Sequence, residues 1–89
     1  MTKESLTFLY EYMNSSAPTG HEKEGQLVWQ RYVSKYVDEV SSDVYGTAYG
    51  VINPGQKFKV LIEAHADEIS WYVNYITDDG FIHVIRNGL

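Results

Sequence analysis

The densest polar chemistry in this 89-residue chain lies in six consecutive residues, Glu63-Ala64-His65-Ala66-Asp67-Glu68, directly after the apolar run Val60-Leu61-Ile62. Cysteine is absent, so disulfides are excluded and any metal must be held by His, Asp or Glu. Residues two apart in an extended chain point to the same side, which sets His65 beside Asp67. A metal-bound imidazole usually donates its other ring N–H to a carboxylate, which fixes the tautomer and aims the lone pair. His65 is therefore the candidate metal ligand, and Asp67 the candidate catalytic carboxylate that orients it. The carboxyl end of a strand in an α/β sheet is also where ligands bind. A plainer reading suits the same residues, because a His among acids at a strand end is commonly a surface or capping residue. One His cannot hold zinc, since a catalytic site takes about three protein ligands. The other two histidines, His21 and His83, are not at ligand spacing to His65.

Other candidates have stronger structural explanations. Glu63 could serve as a base, but a carboxylate one residue beyond an apolar run is more often simply solvated. Tyr32 and Tyr36 could bind a sugar or peptide face, but four residues apart on a helix they are better explained by core packing. No Ser-His-Asp arrangement is recognisable from spacing, because triads are defined by geometry. The seven glycines stand singly, so there is no phosphate-cradling loop.

The elements that must position the cluster follow from periodicity. Over residues 3–14, Leu6, Leu9, Tyr10 and Met13 fall at helical spacing and predict an amphipathic helix. Asn14 to Gly20 is a loop by composition, with Pro18 unable to continue a helix. Thr19, three residues before Glu22, predicts a capping box for a second helix over 21–37, with Val28, Trp29, Tyr32, Val33 and Tyr36 on its apolar face. Strands are expected at 38–44, 48–52, 58–64, 69–77 and 81–86, the first being the weakest. Asn53-Pro54-Gly55-Gln56 predicts a turn, and Asp79-Gly80 a two-residue hairpin turn. The continuous run Val60–Leu61–Ile62 reads as a strand covered on both faces. Ile69, Trp71, Val73 and Tyr75 alternate and are expected to share one face. The fold class is α+β as it stands, with two helices beside a mixed sheet. Two helices are too few to cover both faces of the central run and the final hairpin, so the sequence reads as the beginning of a larger domain.

Composition bounds the function. The chain is 44% hydrophobic and 21% charged, with eight Tyr, three Phe and two Trp, which marks a globular protein. The net charge of −5 is spread along the chain, so the basic stripe expected of a nucleic-acid or anionic-membrane binder is missing. No apolar run reaches the roughly 20 residues that span a bilayer. The N-terminus lacks the apolar core of a signal peptide, and a cytoplasmic location is expected.

Four segments, in order and at matching spacing, resemble the M42 family of metallo-aminopeptidases, which includes glutamyl aminopeptidases and proteins once named cellulase M. Pro18-Thr19-Gly20-His21-Glu22 is similar to that family's Pro-Ser-Gly-x-Glu segment. Asp43-Val44-Tyr45-Gly46-Thr47 is similar to its Asp-x-x-Gly-Asn turn, with Thr in place of Asn. The stretch from Val60 to Ile69 is similar to its strand and following His-Met-Asp-Glu-Ile-Gly, with Ser70 in place of Gly. Asp78-Asp79-Gly80-Phe81 is similar to its next hairpin. The resemblance implies that residues 1–68 form the N-terminal part of an α/β peptidase domain and that residues 69–89 begin a dimerisation-domain hairpin. It also implies a two-metal aminopeptidase using zinc or cobalt, a peptide substrate and a homo-oligomer, with His65 as a metal ligand and Asp67 supporting its ring. The family's bridging Asp, Glu-Glu pair, later Asp, final His and general base lie downstream of the positions matched here. The chain alone is therefore expected to be inactive, with at most one weakly bound metal.

Two non-catalytic functions compete with this reading. One is a self-associating or partner-binding module that uses exposed strand edges. The other is a small metal-binding domain built on a single His.

Overall fold

Thr2 starts the first helix: its Oγ1 accepts the Ser5 backbone N–H at 3.1 Å, satisfying one of the free donors of the first turn. In the computed structural model, which describes residues 1–88, helix α1 runs Lys3–Met13 and helix α2 runs Lys23–Val33. The second helix is shorter than the expected 21–37. Its capping box does not form: Glu22 is the N-cap without a side-chain bond, and its Oε1 instead accepts the Gly20 N–H at 2.6 Å.

The two helices pack antiparallel. Phe8 stacks on Tyr32 with ring centroids 4.0 Å apart, and the Tyr32 hydroxyl donates to Ser5 Oγ at 3.1 Å. Arg31 pairs with Glu11 and Lys35 with Glu4, each at 2.6 Å on the surface. Gly25 permits the close approach, because a Cβ there would stand 3.2 Å from Ser15 Oγ and 3.3 Å from the Ala17 methyl. The stripe of α1 that meets α2 is thus Ser5, Phe8 and Tyr12. The expected stripe is displaced, with Leu6, Tyr10 and Met13 exposed. On α2 the expected face holds better, since Val28 is buried and Trp29, Tyr32 and Val33 are half-buried.

Strands β1 (Glu39–Ser42) and β2 (Ala48–Val51) form an antiparallel hairpin with Glu39 opposite Val51 and Ser42 opposite Ala48. Asp43 closes its turn by accepting the Tyr45 and Thr47 N–H groups on Oδ1 at 2.9 and 3.0 Å. Helix α2 holds the hairpin through Gln26 Nε2, which donates to the Gly46 carbonyl, and Gln30 Nε2, which donates to that of Ser41.

The expected strand at 58–64 is not formed. Residues 57–67 pair with no strand among the described residues, and Val60, Leu61 and Ile62 are 74%, 82% and 92% exposed. A strand exists only through its hydrogen-bonded neighbour, and no other segment of the described chain supplies one. The sheets are therefore two separate antiparallel pairs and not one mixed sheet; the α+β class holds, with four strands among the described residues.

Strands β3 (Ser70–Ile76) and β4 (Ile82–Asn87) make the second hairpin. Its loop has three residues, Asp78-Asp79-Gly80, because the Thr77 N–H donates to the Phe81 carbonyl and the Gly80 N–H to that of Thr77. The ladder slips by one residue between Val73 and Tyr75, leaving Asn74 unpaired as a bulge. The bulge divides the expected face. Trp71 and Val73 share a side with Val84, Arg86, Ile76 and Ile82, whereas Tyr75 joins Tyr72, Ile85 and His83 on the other.

Among the described residues Ala17, Val28, Ser15 and Gly25 are the buried ones, so their core is confined to the helical pair and the loop between its members. The chain measures 61 × 30 × 17 Å with a radius of gyration of 17.3 Å. A compact domain of this length would have about 12 Å. Among the described residues no helix is long and apolar enough to cross a membrane.

Candidate functional site

One junction ties the helical half to the second hairpin, and it contains both candidate site residues. The Glu68 N–H donates to the Ala17 carbonyl at 2.8 Å, and Pro18 and Glu68 form an isolated parallel bridge. This places Thr19, next in the α1–α2 loop, against Asp67. The Thr19 hydroxyl donates to Asp67 Oδ2 at 2.7 Å. The other carboxylate oxygen, Oδ1, lies 3.0 Å from His65 Nδ1, and the Asp67 backbone carbonyl is also 3.0 Å from that nitrogen.

Both atoms facing Nδ1 are acceptors when Asp67 is ionised. The neutral ring is therefore satisfied only with its proton on Nδ1, which leaves the Nε2 lone pair free. The His65 side chain is 86% exposed, so that lone pair is open to a ligand. Asp67 is held below the usual carboxylate range, first by the hydrogen bond from Thr19 and next by that from His65. The carboxylate thus stays ionised at neutral pH and remains available as an acceptor for the ring. Chemically, the pair is an exposed imidazole whose surroundings favour the Nδ1–H tautomer and so an Nε2 lone pair available for donation.

The pairing of His65 with Asp67 anticipated from their spacing is present, although the residues lie in an irregular segment and not at a strand end. The other candidates remain apart. His83 is on β4 opposite Tyr75, 6.0 Å from its ring centroid, and His21 lies in the loop before α2. Glu63 is exposed, and Tyr32 is taken up by packing against Phe8. No three of the His, Asp or Glu side chains come together as a metal cage among the described residues. His65 Nε2 fits one ligand position of a zinc or cobalt site, but the remaining donors of such a site are not present in this arrangement.

Two contributors were not anticipated. Thr19 reads locally as a helix cap, yet its hydroxyl serves a carboxylate 48 residues away. Asn87, at the end of β4, donates through Nδ2 to the Thr19 carbonyl at 2.9 Å and to Ser70 Oγ at 3.0 Å. The only sequence signal for either was their polarity beside turn glycines.

No family model matches the chain. A curated relative, the "Putative aminopeptidase" of Acetivibrio thermocellus, is 34% identical over 64 residues, covering 72% of this chain and 19% of that protein. The crystal structure of the TET aminopeptidase from the marine sediment archaeon Thaumarchaeota archaeon SCGC AB-539-E09 matches at a TM-score of 0.84 and 24% identity, over 98% of this chain and 24% of that one. The chain therefore spans about a fifth of the curated relative and a quarter of the solved chain, and its α+β arrangement is that of the corresponding part of a TET aminopeptidase.

Proposed function

We propose that this chain forms the N-terminal part of a metallo-aminopeptidase of the M42 type and supplies one metal ligand and its orienting carboxylate. The observation that carries the reading is His65 Nδ1 within 3.0 Å of two oxygens of Asp67 on a side chain that is otherwise exposed. Likeness to two aminopeptidases supports it. On this reading His65 Nε2 would hold one of two divalent ions, zinc or cobalt. Asp67 would keep the ring in the ligating tautomer, and Thr19 would hold Asp67. Such a metal pair, when bound, polarises a scissile carbonyl and lowers the pKa of water.

Residues 1–68 would belong to the peptidase domain and residues 69–89 to a hairpin that begins a dimerisation domain. The substrate would be the N-terminus of a peptide, the assembly a homo-oligomer and the location cytoplasmic. The general base and the remaining ligands would come from outside these residues, so the chain alone would not hydrolyse peptides.

A chimera tests this. The residues of this chain that align with the Acetivibrio protein, His65 and Asp67 among those exchanged, replace their counterparts in it, and hydrolysis of aminoacyl-anilides is followed with added cobalt. Cobalt-dependent hydrolysis that His65→Ala reduces to background is expected, while the 89-residue protein by itself shows none. The reading is overturned by an inert chimera beside an active parent. Its claim of inactivity alone is overturned by activity of the isolated chain that depends on His65.

A further inference from the structure

We propose that Thr19 is a positioning residue: its hydroxyl fixes Asp67, and through Asp67 the tautomer and aim of His65, while Asn87 of β4 anchors Thr19 in place. The inference rests on the aminopeptidase reading for its purpose, but neither its geometry nor its test requires a metal.

Asp67 is held at two points. Oδ2 receives the Thr19 hydroxyl at 2.7 Å, and Oδ1 faces His65 Nδ1 at 3.0 Å. A carboxylate with one oxygen free can turn about its side-chain bonds and expose both oxygens to water. A partner on each oxygen sets the plane of the group and the direction of the lone pair offered to the ring. Asp67 is only one-third exposed, whereas His65 is almost wholly so, and among the described residues no other side chain hydrogen-bonds to the imidazole. The aim of His65 therefore depends on Asp67, and that of Asp67 on Thr19.

Thr19 is itself fixed from the second hairpin. Asn87 Nδ2 donates both to its carbonyl and to Ser70 Oγ, so the two ends of the hairpin and the α1–α2 loop meet at one side chain. Gly88 completes the contact. A Cβ at Gly88 would stand 2.9 Å from Thr19 Oγ1, and the backbone φ of +89° is one that side chains disfavour. Any residue but glycine at 88 would push the Thr19 hydroxyl out of line. Placement of the hairpin is thereby coupled to the His65 tautomer through Asn87, Gly88, Thr19 and Asp67.

The test is a tautomer measurement on the 89-residue chain labelled with 15N-histidine. Long-range 1H–15N spectra are recorded near pH 9, where an ordinary imidazole is neutral, and His65 is assigned by its loss in His65→Ala. The wild-type ring is expected to be mainly protonated on Nδ1. Thr19→Val should at least halve that Nδ1–H fraction, Thr19→Ser should restore it, and Gly88→Ala, which removes no hydrogen-bonding group, should lower it as Thr19→Val does. The His21 and His83 signals should stay in place and report an intact fold. The proposal is overturned if wild-type His65 is mainly protonated on Nε2, or if the tautomer ratio is unchanged in both Thr19→Val and Gly88→Ala. Should Thr19→Val also move His21 and His83, Gly88→Ala and the wild-type ratio decide. An inert chimera would defeat the aminopeptidase reading and leave this result standing; an unaltered tautomer would do the reverse.

Discussion

A single imidazole with a free lone pair is a weak metal site, and its strength as one member of a larger set depends on which nitrogen carries the proton. Asp67 makes that choice in this chain, since both of its oxygens facing the ring accept from Nδ1. Removing such an orienting carboxylate typically costs roughly 10- to 100-fold in metal affinity or activity. Asp67→Ala in the chimera is expected to weaken cobalt binding within that range, measured by competition with a chromophoric chelator. Affinity equal to the parent chimera's would show that the ring needs no support. His65 and Asp67 were legible in the sequence because their interaction spans two residues and follows from chain geometry. Thr19 was not, because a hydroxyl three residues before Glu22 satisfies the local pattern of a helix cap, and its true partner is distant in sequence. Local patterns show which groups are available to bond, but only the tertiary arrangement shows which partner they take.

The elements were legible where their stabilising contacts are local. Both helices, both hairpins and the turn that Asp43 closes arise from neighbouring residues. Where a contact is supplied from elsewhere, periodicity misleads. The alternation from Ile69 to Tyr75 predicts one continuous face, but the bulge at Asn74 consumes one residue and sends Tyr75 to the opposite side. In α1 helical spacing suggests Leu6, Leu9, Tyr10 and Met13 as the buried stripe, whereas Phe8 and Tyr12 meet α2. The helical pair also carries a testable pH dependence. Lys35 holds the Glu4 carboxyl below its ordinary value of 4.5, chiefly by a hydrogen bond and further by its charge. A carboxylate whose pKa is lowered on folding stabilises the fold above its unfolded value, and that contribution is lost as pH falls through the folded one. Wild-type protein should therefore lose more helix stability than Lys35→Gln as pH is lowered from 6 to below 4. The difference should shrink in 1 M salt, because the pair is exposed. Parallel pH profiles for the two proteins, followed by circular dichroism during urea unfolding, would show that the pair contributes nothing.

The whole molecule exposes 7700 Å², whereas a compact monomer of 10.2 kDa exposes about 5,300 Å². The excess of roughly 2,400 Å² is the size of an obligate interface. It is concentrated on segments that other described residues leave uncovered: on both sides of Val60–Leu61–Ile62 and on both faces of the second hairpin, where Trp71, Val73, Ile82 and Val84 lie together on one side. An apolar surface of this extent on a protein with so small a core drives association with whatever can cover it. In a longer chain the rest of the fold would do so. For the 89-residue protein in isolation, the available cover is another copy. It is therefore expected to sediment as an oligomer at micromolar concentration. Trp71→Glu, which puts a charge on the more apolar hairpin face, should shift it towards the 10.2 kDa monomer while the helical signal is kept. If the wild-type protein instead sediments as a monomer at hundreds of micromolar, with a radius of gyration near 17.3 Å in solution scattering, the extended shape is stable without cover and the apolar faces do not drive assembly.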